Sequence, residues 1–181
     1  MNVHFIGDLK RATNVGAPNL SCRFKVVLDM HARKPGCWIK VGGIEEDWTQ
    51  LCASDPAVWN HPIDLHYATS SVETWPMLYL ELWTQDEHGR NDIAGYSQLQ
   101  LPASPGQHEL DAVVWRPRGT FLEELRAFFL GGRPQLVSPI SAIVDTSRFH
   151  PDFRTETIGL VHVGINVITT EYQNKGVTLR R

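Results

Sequence analysis

The feature that most constrains the fold of this chain is a strict alternation of apolar and polar residues. It is clearest in IGLVHVGINVITTE (158–171), where one side of an extended chain carries Val161, Val163, Ile165 and Val167. Side chains of a strand point alternately to the two faces of a sheet. The pattern therefore predicts a strand with one dry face and one wet face, as in antiparallel sheets.

The same period recurs along most of the chain, in segments that Pro and Gly residues separate. Leu20, Cys22, Phe24 and Val26 share a face in one of them, and Leu78, Leu80 and Leu82 in another. The predicted strands lie at 2–9, 20–29, 64–69, 76–86, 94–102, 108–117 and 158–171. Several short strands with this patterning predict an antiparallel sandwich or barrel.

One segment, GTFLEELRAFFLGG (119–132), has helical spacing instead. Thr120 and Glu123 fit a capping box, and the glycine pair at its end fits a helix stop. The apolar stripe consists of Phe121, Leu122, Leu125, Phe128 and Phe129. We expect a short helix near 120–130 that either packs on the chain's own core or is covered by a partner.

Length and composition predict one soluble, intracellular domain over 2–172, followed by a tail at 173–181. The 181 residues carry a net charge of −3 with interspersed signs, so nothing suggests nucleic-acid binding. Cys22, Cys37 and Cys52 show no CxxC spacing and are expected to be reduced. The first residues have no signal-peptide pattern, and no apolar run reaches the length of a membrane helix.

The acidic loop in LWTQDEHGRNDIAGY (82–96) resembles the third loop of calcium-type C2 domains. Asp86, Gly89, Asp92 and Gly95 match that pattern, but its first aspartate falls on Thr84. The early connection MHARKPG (30–36), where further carboxylates would be expected, is basic. Because calcium takes six or more oxygens, a turn is favoured over a calcium site, and no cofactor is expected.

Other chemical candidates are weaker. Asp64 and His66 share a face of a predicted strand near His61, which allows a metal half-site without a third ligand. No Walker loop, HExxH, dinucleotide fingerprint or nucleophile elbow occurs. A Ser–His–Asp triad is assembled in space and stays open at this point.

Tryptophan is abundant, with six residues, and four of them lie beside turns. A tryptophan buries a large area and keeps one N–H donor. These residues either plug the ends of the sandwich or anchor a protein partner. Trp59 and Trp115 are the candidates for the second role.

Several blocks together resemble the B9-domain family: VHFIGDL, AVWNHPIDLHYATSS, WPMLYLELWTQDEHGRNDIAGY, LPASPGQHEL and WRPRGTFLEELRAFFLGGRPQLV. The resemblance runs with gaps over about 2–137 and returns in GLVHVGINVI; the connection within 30–50 looks longer than is usual there. It implies a C2-like β-sandwich without enzymatic activity. It also implies assembly with other B9-domain proteins, and with the Meckel-type complex and membrane proteins of the ciliary transition zone, where the family supports ciliogenesis and the ciliary membrane gate.

Two functions are therefore expected. The first is a cytoplasmic assembly module at the ciliary transition zone or basal body, with candidate partner contacts at Trp59, Trp115, Phe121, Leu125 and Phe128. The second is a peripheral C2-type phospholipid-binding module. Its weak membrane contact would come from Arg33, Lys34 and Trp38, since two cations contribute only about 2 kcal/mol near anionic lipid.

Overall fold

The computed structural model describes residues 1–28, 37–70, 74–118 and 154–170. These ranges form nine strands. In chain order they are β1 (Asn2–Thr13), β2 (Leu20–Val27), β3 (Trp38–Gly43), β4 (Glu46–Trp48), β5 (Ala57–Thr69), β6 (Met77–Gln85), β7 (Asn91–Gln100), β8 (Gly106–Arg118) and β9 (Arg154–Thr170). The helix expected near 120–130 lies outside the described residues. No helix among the described residues has the length and hydrophobicity required to cross a bilayer.

The strands form one curled sheet in the order β3-β5-β1-β9-β8-β7-β6-β2-β4, and every pair is antiparallel. Between β7 and β8 the only paired residues are Tyr96 and Trp115. The sheet therefore folds over at this corner into two layers, β3-β5-β1-β9-β8 and β4-β2-β6-β7. The antiparallel β-sandwich expected from the sequence is confirmed.

The core lies between the two layers and is built from the apolar side of the alternation. β2 alternates buried and partly buried residues along its whole length. The expected inner face of β9 is also confirmed, because the side chains of Val161, Val163, Ile165 and Val167 are at most 1% exposed. Burying each such side chain contributes about 1.5–3 kcal/mol.

The structure differs from the sequence expectation mainly at β5, which begins at Ala57 and not at residue 64. Pro62 lies inside this strand, opposite Asp8 of β1. Proline is tolerated there because β3 pairs only with Leu65–Thr69, so β5 has a single ladder partner at Pro62. Trp59 is thus part of a strand and not of a turn.

Candidate interaction surfaces

A row of large side chains crosses the outer face of the second layer. Cross-strand pairing places Trp48 opposite Arg23, Arg23 opposite Glu81, Glu81 opposite Tyr96, and Tyr96 opposite Trp115. All five point away from the main core. Their neighbours along the strands take the inner positions, as Leu80 and Leu82 do on either side of Glu81. The row therefore runs from the edge strand β4 to the corner at β8.

Glu81 is the centre of this row and is only 6% exposed. It accepts hydrogen bonds from the Tyr79 hydroxyl at 3.0 Å and from Trp83 Nε1 at 3.3 Å. Arg23 Nη1 donates to it at 3.1 Å. A buried carboxylate needs hydrogen-bond partners, and these donors tie Glu81 of β6 to Arg23 of β2.

The same contacts shift the pKa values of the neighbouring groups. The hydrogen bond to Glu46 is the largest cause that raises the Arg23 pKa, with the charge of Glu81 adding to it. Burial raises the pKa of the Tyr79 hydroxyl, and the Glu81 charge raises it further. Both shifts favour the protonated form, so Arg23 and Tyr79 keep their protons through the physiological range.

The outer face of β6 and β7 is drier than simple alternation predicts. Tyr79 is 4% exposed and Tyr96 is fully buried, and with Ile93 they form a second apolar cluster. The expectation of one dry and one wet face is wrong here. At the outward-facing positions, where alternation predicts polar residues, these strands carry aromatic residues. Aromatic side chains bury large areas on whichever side of a sheet they lie.

The two tryptophans predicted as partner anchors are both packed within the fold. Trp59 packs against the main core and donates its Nε1–H to the Leu20 carbonyl at 3.2 Å. Trp115 packs on the second cluster with its ring centroid 5.6 Å from that of Tyr96. Neither is fully buried, and partner binding through them stays a prediction.

Trp48, one of the four tryptophans beside turns but not chosen from the sequence as a partner anchor, is the most exposed of the described ones. The Trp48 side chain is 46% exposed. Its ring centroid lies 5.7 Å from that of Trp83, and Arg23 Cζ lies 5.7 Å from the Trp48 ring centroid. Its position in EEDW at a short charged edge strand was the available signal. Phe121, Leu125, Phe128, Arg33 and Lys34 lie outside the described residues.

The acidic loop between β6 and β7 is a turn closed by its own backbone. Asp86 Oδ1 accepts the backbone N–H groups of His88 and Arg90, each at 2.8 Å, and Oδ2 accepts from Arg90 Nε at 2.8 Å. Gly89 has a φ of 77°, the left-handed conformation expected for it. The backbone N–H of Arg90 is the largest cause that lowers the Asp86 pKa.

These bonds account for Asp86 without a metal ion. Asp92 lies in β7, where its Oδ1 accepts from the Ile93 N–H at 2.9 Å. Within the described ranges, no three His, Cys, Asp or Glu side chains lie close enough together to hold an ion. The residues match the turn interpretation of this loop better than a calcium site.

The histidines of β5 lie beside other rings and a carboxylate, and among the described residues the buried Nε2 atoms of His61 and His66 have no hydrogen-bond partner. His66 stacks on His4 of β1, with ring centroids 3.8 Å apart. The nitrogen lone pairs of two stacked rings do not point to a common position, so the two rings do not chelate one metal ion together. His61 Nε2 lies 3.3 Å from Asp47 Oδ2.

A hydroxyl, an imidazole and a carboxylate do meet on the outer face of the first layer. Thr13 Oγ1 lies 3.0 Å from His162 Nε2, and His162 Nδ1 lies 2.6 Å from Asp111 Oδ1. The Asp111 side chain is 62% exposed, so this carboxylate faces solvent. The arrangement serves as a polar link between β1, β9 and β8.

Exposed apolar side chains are concentrated along one side of the sandwich. Five of the nine large apolar residues that are exposed in the described ranges lie within 39–51, which we call the open seam. They are Ile39, Val41, Ile44, Trp48 and Leu51. Scattered exposed apolar residues are ordinary, but these five lie close in sequence, where the chain crosses between the two layers.

Comparison with solved structures finds two C2 domains of low sequence identity. The structure of C2 domain A from plant extended synaptotagmin 1 gives a TM-score of 0.46 at 11% identity and covers 94% of this chain and 97% of that one. A second structure, titled "Structure of a C2 domain", gives a TM-score of 0.42 at 12% identity, with 93% and 100% covered.

Comparison with protein families and characterised proteins is more specific. The family model described as "Ciliary basal body-associated, B9 protein" matches residues 3–168. B9 domain-containing protein 2 is 37% identical in Mus musculus and 35% identical in Homo sapiens, and each match covers 97% of both chains. B9 domain-containing protein 1 of Mus musculus is 27% identical over 77% of this chain and 70% of its own length. The chain therefore belongs to the B9 family of ciliary basal body-associated proteins.

Proposed function

We propose that this chain is a non-enzymatic assembly component of the ciliary transition zone and basal body. It binds other B9-domain proteins through its surface and so supports ciliogenesis and the ciliary membrane gate. The observation that carries this proposal is the family match, which spans residues 3–168 and therefore both layers of the sandwich. The relatives of this chain include both B9 domain-containing protein 1 and B9 domain-containing protein 2, which fits a family whose members assemble with one another.

The described surfaces support a binding role more than a catalytic one. The buried carboxylate Glu81 and the loop carboxylate Asp86 are both paired with donors of the chain itself. By contrast, the apolar side chains of the open seam face solvent. Trp, Tyr and Arg contribute most of the binding energy at protein interfaces, and the seam contains the exposed Trp48. We propose a single B9 domain over 2–172 as the unit that carries these surfaces.

The proposal is tested by expressing the full tagged chain in ciliated cells that lack their own B9 domain-containing protein 2. We expect the chain to concentrate at the base of the cilium and to restore the fraction of ciliated cells. The matched control is Leu80→Asp, which places a charge at a fully buried position and should abolish both effects. Diffuse staining by the folded, unmodified chain, with no restoration, would rule the proposal out.

A further inference from the structure

The edge strand β3 has one side without a neighbouring strand within the described ranges, because it is the first strand of the sheet order. Two of its apolar side chains face solvent, since Ile39 is 63% exposed and Val41 is 54% exposed. A lysine on an edge strand usually hinders further pairing, but Lys40 Nζ lies 3.5 Å from Glu45 Oε2 and is turned back onto the chain. The β3 edge therefore presents backbone groups beside apolar side chains.

The register of the first layer places the end of β9 level with the start of β3. Thr170 at the end of β9 pairs with Asn2 of β1. Ala68 of β5 pairs with Asn2 on one side and with Ile39 of β3 on the other. The residues after Thr170 therefore follow from the same end of the sheet at which β3 begins. A segment that turns back from this end would run alongside β3 in the same direction.

The sequence after β9 has the length and composition to reach the β3 edge. Neighbouring strands are about 4.8 Å apart, so a position beside Ile39 lies four spacings, about 19 Å, from Thr170. An extended chain covers about 3.3 Å per residue, so residues 171–176 are enough to span this distance. NKG (174–176) has the composition of a turn at the point where the chain would reverse. VTL (177–179) follows with strand-forming residues.

Charge complementarity supports the same placement. In this register the two arginines after VTL, Arg180 and Arg181, would lie beside the end of β3. Asp64 of β5 is at that end, because its carbonyl accepts from the Ile44 N–H at 3.2 Å. The Asp64 side chain is exposed, and no hydrogen bond or ion pair of its carboxylate is found in the described part of the chain. Gly43 between the two positions has no side chain to block an arginine that reaches across β3.

We propose that the β3 edge is the docking site of this chain's own segment 175–181, which lies outside the described residues. The segment adds one strand parallel to β3, pairs with the free backbone groups of the edge and covers Ile39 and Val41. The chain's own segment is favoured over one from a second copy, because a short connection to β9 gives it a high effective concentration at the edge.

This inference goes beyond the proposed function and does not depend on it. Trp48 and Leu51, which are 46% and 49% exposed, lie in the part of the open seam that the segment leaves uncovered. Other B9-domain proteins can therefore bind there while the β3 edge is occupied.

Disulfide formation tests the docking in the full chain, in a background with Cys37→Ser and Cys52→Ser. Val41→Cys is combined with Thr178→Cys, which the register sets side by side. A disulfide needs Cα atoms within about 7 Å of each other, so it forms readily only where the two positions adjoin. We expect a disulfide within one chain after mild oxidation, detected by mass spectrometry. Cysteines at 177 and 179 are tested in the same way, because one residue more in the crossing shifts the register by one.

The matched control combines Ile6→Cys with Thr178→Cys. Ile6 is also an exposed apolar strand residue, at 45%, and its strand β1 lies nearer to β9 than β3 does. A segment without a docking site would reach Ile6 at least as easily as Val41. We expect the disulfide at Val41 to form about tenfold faster or more.

Charge reversal tests the register in the same cysteine background. Asp64→Lys alone, or Arg180→Glu with Arg181→Glu, should slow disulfide formation at Val41 about two- to fivefold, as expected of exposed ion pairs. All three changes together restore opposite charges and should recover the rate. Thermal melting of each variant confirms that it is folded.

Deuterium uptake gives a second measurement that needs no cysteine. Deletion of 175–181 should raise the uptake of a peptide that covers 38–44 and leave that of 91–100 in β7 unchanged, because only the β3 edge loses a neighbour.

Four results would overturn the proposal. They are equal rates of disulfide formation at Val41 and Ile6, a Val41 disulfide that forms only between two chains, unchanged rates in the folded charge-reversal variants, and unchanged uptake at 38–44 after the deletion. Each of them would leave the proposed function intact, since that function concerns binding to other proteins.

Discussion

At the scale of single residues, two of the three thiols, Cys22 and Cys52, occupy different environments. Cys22 is fully buried, and burial is the largest cause that raises its pKa, followed by the charge of Glu81. Cys52 is only partly buried, and its Sγ lies 3.1 Å from Ser54 Oγ. That hydrogen bond is the largest cause that lowers the Cys52 pKa, with the backbone of Ser54 adding to it.

Cys52 is therefore expected to react first with iodoacetamide at mildly alkaline pH, because the thiolate is the attacking form. Cys22 should stay unlabelled until the protein unfolds. The rates are measured by mass spectrometry of the labelled peptides, with Ser54→Ala as a variant that should slow Cys52 alone. Labelling of Cys22 as fast as Cys52 in the folded protein would contradict these environments.

The buried carboxylate of Glu81 gives a second prediction. Arg23→Met removes its cationic partner but leaves the Tyr79 and Trp83 donors, so we expect a loss of about 2 kcal/mol in unfolding free energy. Adding Glu81→Gln to Arg23→Met should recover part of this loss by removing the unpaired charge. Urea unfolding measures both changes.

The control is Lys10→Met, which breaks the exposed pair with Glu109 and should cost much less. Equal losses for Arg23→Met and Lys10→Met would show that the row across the outer face contributes no more than a surface ion pair.

At the scale of elements, the close approach of β1 and β9 depends on a glycine. A Cβ atom added to Gly7 would lie 1.9 Å from the Gly164 carbonyl oxygen, which belongs to the backbone and cannot turn aside. Gly7→Ala must therefore push apart two strands at the centre of the first layer, at a cost of about 3 kcal/mol.

Gly42→Ala is the matched control within a strand of the same layer. Its added Cβ would meet only His66 Cβ, at an ordinary 3.9 Å, so we expect a change within about 0.5 kcal/mol. Thermal and urea unfolding distinguish the two variants. A Gly7→Ala protein as stable as Gly42→Ala would mean that the β1–β9 register is wrong.

The central strands could be predicted from the sequence because one of their faces is buried. β2 and β9 alternate cleanly, the inner positions Leu78, Leu80 and Leu82 of β6 follow the same period, and the turn at Asp86 carries its own glycine signal. β3 and β4 were missed because edge strands expose both apolar and charged residues and so lose the alternation. The Glu81 network was missed because a charged residue at an outer position normally indicates a wet face, and only the cross-strand register brings Arg23, Tyr79 and Trp83 to it.

At the scale of the whole molecule, the strand order explains where binding can occur. The corner between β7 and β8 is filled by Tyr96 and Trp115, whereas the opposite side, the open seam, ends in two strand edges. The outer face of the second layer is closed over its buried aromatic cluster. The corner and the buried part of the outer row thus contribute stability, and the seam, which includes Trp48 at the end of that row, is the surface that we expect to serve recognition.

Binding of this B9 chain to other B9-domain proteins is tested most directly by isothermal calorimetry. The purified full chain is titrated with purified B9 domain-containing protein 1 from the same species. We expect a saturable one-to-one complex with an affinity in the micromolar range or tighter, corresponding to about −8 kcal/mol or more favourable. No binding by two folded proteins, at concentrations well above that range, would contradict the proposed assembly role.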